Sequence, residues 1–366
     1  MTAAQTQASA VGNAAPGITR RHVRPARQWG RLARVVWLEH RGAFVAMWAF
    51  SIACAATIVV EARPARATLA TYVADHCVTD PIHVPCGTIA NNLANTTDPF
   101  SAVLFVLEIL PVIVGVFLGA PLVARELESG TYRFAFTQAT TRTRVLLTKV
   151  VMLGVLVTGD GVVLGLLMAR WARPFEVVGA GVSMWNPGTF VASWWLLAAW
   201  SLLGLCAGAL IGAVVRKTVP AMATTLVVVG GLVVAIVVVG VKQLLSIAPE
   251  VTSFVTARGL GVGALGFPGY SGEGPRGSWL VRAWMTGPHT MLLGPSQSIR
   301  MLALLDAAKT SSVSAPRLLA LHHVSYWVSF QPAWRDPIFQ GVVGLLVLVL
   351  ATIAILLTVH RLRHLV

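Results

Sequence analysis

Apolar residues gather in six long runs: Gly42–Val60, Ser101–Val123, Val145–Met168, Phe190–Val215, Val219–Val241 and Ile338–His360. A helix needs about 20 mainly apolar residues to cross the hydrocarbon core of a bilayer. Each run is close to that length or above it, so each predicts a spanning helix. Ala65-Arg66-Ala67, just past the first run, resembles a processing site. The 41 residues before that run and the 19 within it are both too many for a signal peptide, so the run reads as an uncleaved span.

The polar segments give the direction of crossing. Seven arginines lie between Arg20 and Arg41, ahead of the first run. Arg125, Arg133, Arg142, Arg144 and Lys149 lie around the loop between the second and third runs. Arg216 and Lys217 fill the turn between the fourth and fifth, and Arg361 and Arg363 follow the sixth. With six spans these segments share one side, and basic short loops stay in the cytoplasm. Both termini are therefore expected there. The opposite side holds residues 61–100, 169–189 and 242–337.

These patterns divide the chain. Residues 1–26 read as a basic, disordered tail. In residues 27–41, Arg27, Arg31, Arg34 and Leu38 share one helical face and Trp29, Leu32, Val36 and Trp37 lie away from it. This predicts an amphipathic helix on the inner leaflet, or else a cytoplasmic extension of the first span. Residues 42–241 carry five spans, with an outer loop at 61–100 and a charged loop at 124–144. Residues 242–337 form a long outer loop, whose Trp279, Trp284, Trp327 and Trp334 suit short helices at the membrane interface. Residues 338–366 hold the sixth span and a cytoplasmic tail. The expected fold is an all-α integral membrane protein with six transmembrane helices.

Composition agrees. The chain is 56% hydrophobic and 11% charged, with mean hydropathy +0.74. Soluble proteins carry roughly 25% charged residues. The net charge of +14 could indicate nucleic acid, but the cations flank apolar spans. Orientation and contact with anionic lipid head groups explain them better, and no nucleic-acid partner is expected. Abundant arginine, alanine, glycine and valine point to a GC-rich bacterial genome, hence to a bacterial plasma membrane.

Within the spans, Gly204, Gly208 and Gly212 recur every fourth residue, and Gly115/Gly119 and Gly161/Gly165 repeat the spacing. In lipid, close backbone approach is a main attraction between helices, and glycine permits it. The stripe serves packing inside one subunit or a seam between two. Glu108 and Asp160 are acids inside apolar runs. Such groups face the bundle interior or a wet cavity. They either make a structural hydrogen bond or line a cargo path. Cys77 and Cys86 lie in the first outer loop, an oxidising compartment, and are expected to form a disulfide. The rival is a metal site with His76 and His83, whose spacing fits no strong zinc pattern. No metal is therefore assigned. Cys54 and Cys206 read as packing residues inside spans.

No G-x-x-x-x-G-K-[ST] loop occurs; Gly212-Ala-Val-Val-Arg-Lys217-Thr218 lacks the second glycine. No catalytic residue set stands out, so the chain is not expected to be an enzyme. Ala120-Pro-Leu-Val-Ala-Arg125-Glu126-Leu-Glu128-Ser-Gly130-Thr131-Tyr-Arg133, then Thr137-Gln138, Thr141-Arg142-Thr143-Arg144 and Lys149, resembles the cytoplasmic loop of type-2 ABC exporter permeases. Phe330-Gln331-Pro332-Ala333-Trp334-Arg335-Asp336-Pro337-Ile338-Phe339-Gln340 is similar to the stretch opening the last span in actinobacterial members, with Asp336-Pro337 in place of Phe-Trp. The resemblance implies a short helix coupling to an ATPase, carried by Arg125, Glu126, Glu128, Gly130, Thr131 and Arg133. It implies two permeases, expected as a homodimer, and two cytoplasmic ABC ATPase subunits. ATP and magnesium belong to those subunits, and this chain needs no cofactor of its own. The expected function is export of a drug-like, lipid-like or peptide cargo by alternating access. Two alternatives stand beside it: a membrane signalling or mechanical transmitter driven by the same kind of ATPase, and an intramembrane enzyme using Glu108 or Asp160.

Overall fold

The computed structural model describes residues 25–77, 84–97, 99–130, 142–178, 187–236, 249–254, 278–287 and 321–364, with isolated positions between 292 and 304. The helices are α1 (Pro25–Ala74), α2 (Val84–Thr97), α3 (Pro99–Val114), α4 (Ala120–Ser129), α5 (Arg142–Val178), α6 (Pro187–Val191), α7 (Trp194–Val215), α8 (Thr218–Val234) and α9 (Asp336–Arg363). The strands are β1 (Val251–Phe254), β2 (Trp279–Thr286) and β3 (Ser325–Gln331). The basic tail expected over 1–26 lies almost wholly outside the described residues.

Among the described residues, five helical stretches are long and apolar enough to cross a membrane: Val36–Ala74, Ala102–Ser129, Val145–Phe175, Trp194–Val215 and Ala333–Arg363. The run Val219–Val241 forms the shorter apolar helix Thr218–Val234, and residues 237–248 lie outside the described set. The predicted fourth span is shorter than expected. Its first residues form α6, and the chain breaks at Ala192–Ser193, where Ser193 is extended, before α7 begins.

α1 corrects one boundary. It runs unbroken for 50 residues, so the amphipathic stretch 27–41 is continuous with the first span rather than a separate helix. At 1.5 Å per residue it is about 75 Å long, against about 30 Å of hydrocarbon. It therefore projects well beyond the bilayer core. Its far end packs Tyr72 against the buried Cys77 and Cys86, with Ile89 of α2 beside them.

Cys77 and Cys86 are joined by a disulfide, nine residues apart in sequence. This uses two of the four side chains that a metal site would have needed; His83 lies outside the described residues. The link fastens the C-terminal end of α1 to α2. Closing so short a loop stabilises by about 2–3 kcal/mol in the chain-entropy picture. Peptide mapping without reductant is expected to recover the two cysteines linked, and Cys77→Ala/Cys86→Ala to lower the unfolding temperature. Two free thiols in the native protein would remove the strap.

α7 is the axis of the bundle and packs on α3, α4, α5, α8 and α9. The glycine stripe explains how. A Cβ at Gly204 would overlap the Pro111 carbonyl oxygen, and one at Gly208 would lie 2.8 Å from the Ala120 nitrogen. A Cβ at Gly212 would overlap the Ala120 carbonyl oxygen. From the other side, a Cβ at Gly115 would come within 2.9 Å of the Gly204 oxygen. α3, a π-helical turn at Gly115–Gly119 and α4 thus lie backbone to backbone along α7, running parallel to it. Gly161 and Gly165 of α5 make the same approach to Ala198 and Trp194. The stripe is therefore a seam within the chain. α9 fits against α7 by another route: Gly344 leaves room for the Trp195 ring, whose indole N–H donates to Gln340 Oε1 at 3.2 Å.

The long segment after α8 is a local exception within a mainly helical membrane protein. It contributes a three-stranded antiparallel sheet in the order β1-β3-β2. Trp279, Trp284 and Trp327, expected on interfacial helices, lie in β2 and β3, where Trp284 pairs with Trp327. Ser325-Tyr-Trp-Val-Ser-Phe-Gln is rich in the aromatic and β-branched residues that suit a pleated surface. Trp334 sits in a 3₁₀ turn, Ala333–Arg335, and is 64% exposed beneath the Arg335 guanidinium. The Asp336-Pro337 pair opens α9 in regular fashion, with proline in the first turn and Asp336 accepting from Gln340 Nε2 at 2.9 Å.

Candidate functional site

The predicted coupling residues fall at one end of the bundle. Arg125, Glu126 and Glu128 lie on the last turns of α4, which is continuous with the second span rather than a separate short helix. α4 stops at Ser129 because Gly130 takes φ +69°, the left-handed conformation that ends helices and that glycine adopts without strain. Thr131 and Arg133 lie outside the described residues, as does the stretch to 141.

Each acid on α4 is held by another part of the chain. Glu126 binds the ammonium of Lys149, on the first turns of α5. Glu39 of α1 binds the same ammonium with both oxygens, at 2.8 and 2.7 Å. The Lys149 side chain is only 5% exposed, and His40 Nε2 stands 3.9 Å from Glu39. A buried cation is costly unless it is paired, and here two carboxylates surround it. Glu128 turns the other way. Its Oε2 accepts the backbone N–H of Thr218 at 2.8 Å and the Thr218 hydroxyl at 2.6 Å. These bonds satisfy the first turn of α8, where a carboxylate also complements the helix dipole. Arg125 is exposed, as are Arg216 and Lys217 in the α7–α8 turn.

The end of α4 is thus tied to α1 and α5 on one side and to α8 on the other. Sequence reasoning placed Lys149 in this region but missed Glu39 and Thr218 as partners. Glu39 did carry a signal, being the sole acid in the first 60 residues and standing among arginines. Thr218 carried none, since its contact joins segments 90 residues apart.

Glu108 and Asp160 are not brought together. Glu108 is half-buried on α3, with its carboxylate against Gly188 of α6. Asp160 is half-buried on α5, near Ser51 of α1, whose hydroxyl donates to the Met47 carbonyl at 2.8 Å. They occupy different helix interfaces. Among the described residues no group of three or more histidines, cysteines or acids could hold a metal ion.

No curated protein matches the chain, and no solved structure does. A family model described as ABC-2 membrane transporter related matches residues 48–240.

Proposed function

Because the chain belongs to the ABC-2 membrane transporter related family, whose model covers more than half of it, we propose that it is the permease subunit of an ATP-driven exporter. It is a multi-pass membrane protein with a helical bundle of the kind such a permease requires. The matched stretch contains the end of α4 and everything that anchors it except Glu39. That anchoring is the observation that carries the reading. A solvated loop end has no need to be fixed to three other helices, whereas a point that receives force from a partner does.

The partner is a cytoplasmic ABC ATPase, two copies serving two permeases, with ATP and magnesium bound there. The charged end then faces the cytoplasm of a bacterium, and the disulfide and the sheet face outward. Several contacts support six crossings. Thr218 is bonded at the charged end, while Glu250 bonds Ser329 in the sheet that leads into α9. The start of α9 lies beside Trp195, at the opposite end of α7. These contacts support a crossing between Thr218 and Glu250. The drug-like, lipid-like or peptide cargo passes between two permease halves, and Glu108 and Asp160 are the acids that could meet it.

Co-expression of the tagged chain with ABC ATPase subunits from its own genome tests this. One ATPase is expected to be retained per permease after detergent extraction, with ATP hydrolysis in the reconstituted complex. A folded permease that retains none of them would overturn the assignment.

A further inference from the structure

Among the described residues α1 packs on α2, α3 and α5 but has no extended packing along α4. A polar connection to the end of α4 runs through the Lys149 Nζ, which binds Glu39 on α1 and Glu126 on α4. Glu39 and Lys149 are 110 residues apart in sequence, and Glu126 and Lys149 are 23 apart, so chain connectivity alone does not hold them together. The Lys149 side chain is 5% exposed, whereas the Glu39 and Glu126 side chains are 41% and 39% exposed. The cation is therefore the buried centre, and the carboxylates close over it from the solvent side. Without that cation, two like charges from different helices would face each other across a half-buried gap, and like charges repel most where water screens least.

We propose that Lys149 is a positioning residue that clamps α1, α4 and α5 into one rigid unit, so that motion imposed on the end of α4 carries the amphipathic half of α1 with it. This rests on reading the end of α4 as the ATPase-coupling point, and it adds a second element to that reading. The part of α1 that follows Pro25 would then be moved by the ATPase through Lys149, without extended packing of its own along α4. Arginine can replace the lysine in charge, though its planar fork fits a two-sided ammonium site imperfectly. Methionine keeps the length and removes the charge.

The test is a distance between spin labels at Leu38→Cys on α1 and Ser129→Cys on α4, both exposed positions. It is measured by pulsed electron resonance in lipid nanodiscs, on the permease alone and on the complex with its ATPase trapped by ATP and vanadate. The clamp requires one narrow distance, unchanged by trapping. Lys149→Met is expected to broaden the distribution about twofold or more in the permease alone. It should also make the mean distance change on trapping. Lys149→Arg is expected to restore most of the narrow population. Should Lys149→Met fail to fold, Glu39→Gln serves, because it leaves Lys149 paired with Glu126 and must broaden the same distance to a lesser degree. A narrow distance in Lys149→Met or in Glu39→Gln, equal to that of the unmodified chain, overturns the clamp. Failure of any ATPase to bind the unmodified permease overturns the coupling reading instead, and the resting distance still decides the clamp.

Discussion

Gly204→Val is expected to abolish most of the folded permease, with a cost of about 3 kcal/mol or more, at the upper end of overpacking penalties. The reason is what stands opposite. A Cβ at Gly204 would overlap the Pro111 carbonyl oxygen and lie 2.9 Å from its carbonyl carbon. Backbone cannot swing aside as a side chain can. α7 would have to move away from α3 as a whole, breaking the matching approaches at Gly208 and Gly212 one and two turns on. Because α7 also packs on α5 and α9, the displacement would reach every long helix that touches it. Gly159→Ala is the control, since nothing lies within 4 Å of a Cβ there. Detergent-solubilised yield on size exclusion, with a thermal unfolding scan, reads both variants. Gly159→Ala should match the unmodified chain. A folded Gly204→Val monomer with normal thermal stability would show that the stripe is not the seam described here.

The glycine stripe was legible because its signal is local. A period of four on an apolar run states which face is small, and in lipid a small face is for close approach. The sequence could not say whether the facing helix came from the same chain, because Gly115 and Gly119 are equally consistent with either. Five of the six predicted spans were legible for a similar reason: a bilayer demands length and apolarity over contiguous residues. The disulfide followed from two nearby cysteines in an outer loop. Long-range polar pairing was not legible. Glu39, Lys149 and Glu126 are ordinary charges at the ends of apolar runs until the fold brings them to one point. The tryptophans of the outer segment misled for a different reason. Aromatic residues suit both a membrane interface and a strand, and Trp284 and Trp327 pair across β2 and β3 rather than lying on helices. Gly344 gave no warning either, since a lone glycine in α9 has meaning only beside Trp195.

Glu128→Arg is expected to free the ATPase from the permease, lowering its retention on the order of tenfold or more. The structure alters the reason one would give from the sequence. A charge on a loop invites the reading of direct contact with a partner, yet both bonds of the Glu128 carboxylate described here go to Thr218. An arginine at this position cannot accept either bond, since guanidinium has no acceptor. It would also bring a fourth cation to the neighbourhood of the exposed Arg125, Arg216 and Lys217. The first turn of α8 would lose its cap, and the α7–α8 turn would separate from the end of α4. Two milder variants tell the routes apart. Glu128→Gln keeps one acceptor oxygen for Thr218 and removes only the charge. Thr218→Val removes the hydroxyl donor and leaves the backbone N–H. If Glu128 acts by holding α8 in register with α4, both variants weaken ATPase retention in small, similar steps. If Glu128 touches the ATPase directly, Glu128→Gln is nearly as damaging as Glu128→Arg, and Thr218→Val is silent. Retention on a tagged permease, read beside ATP hydrolysis by the eluted complex, gives the order of the three. Full retention and unchanged hydrolysis in Glu128→Arg would remove this end of α4 from the coupling path, because no other residue there bonds α8 as Glu128 does among the described contacts.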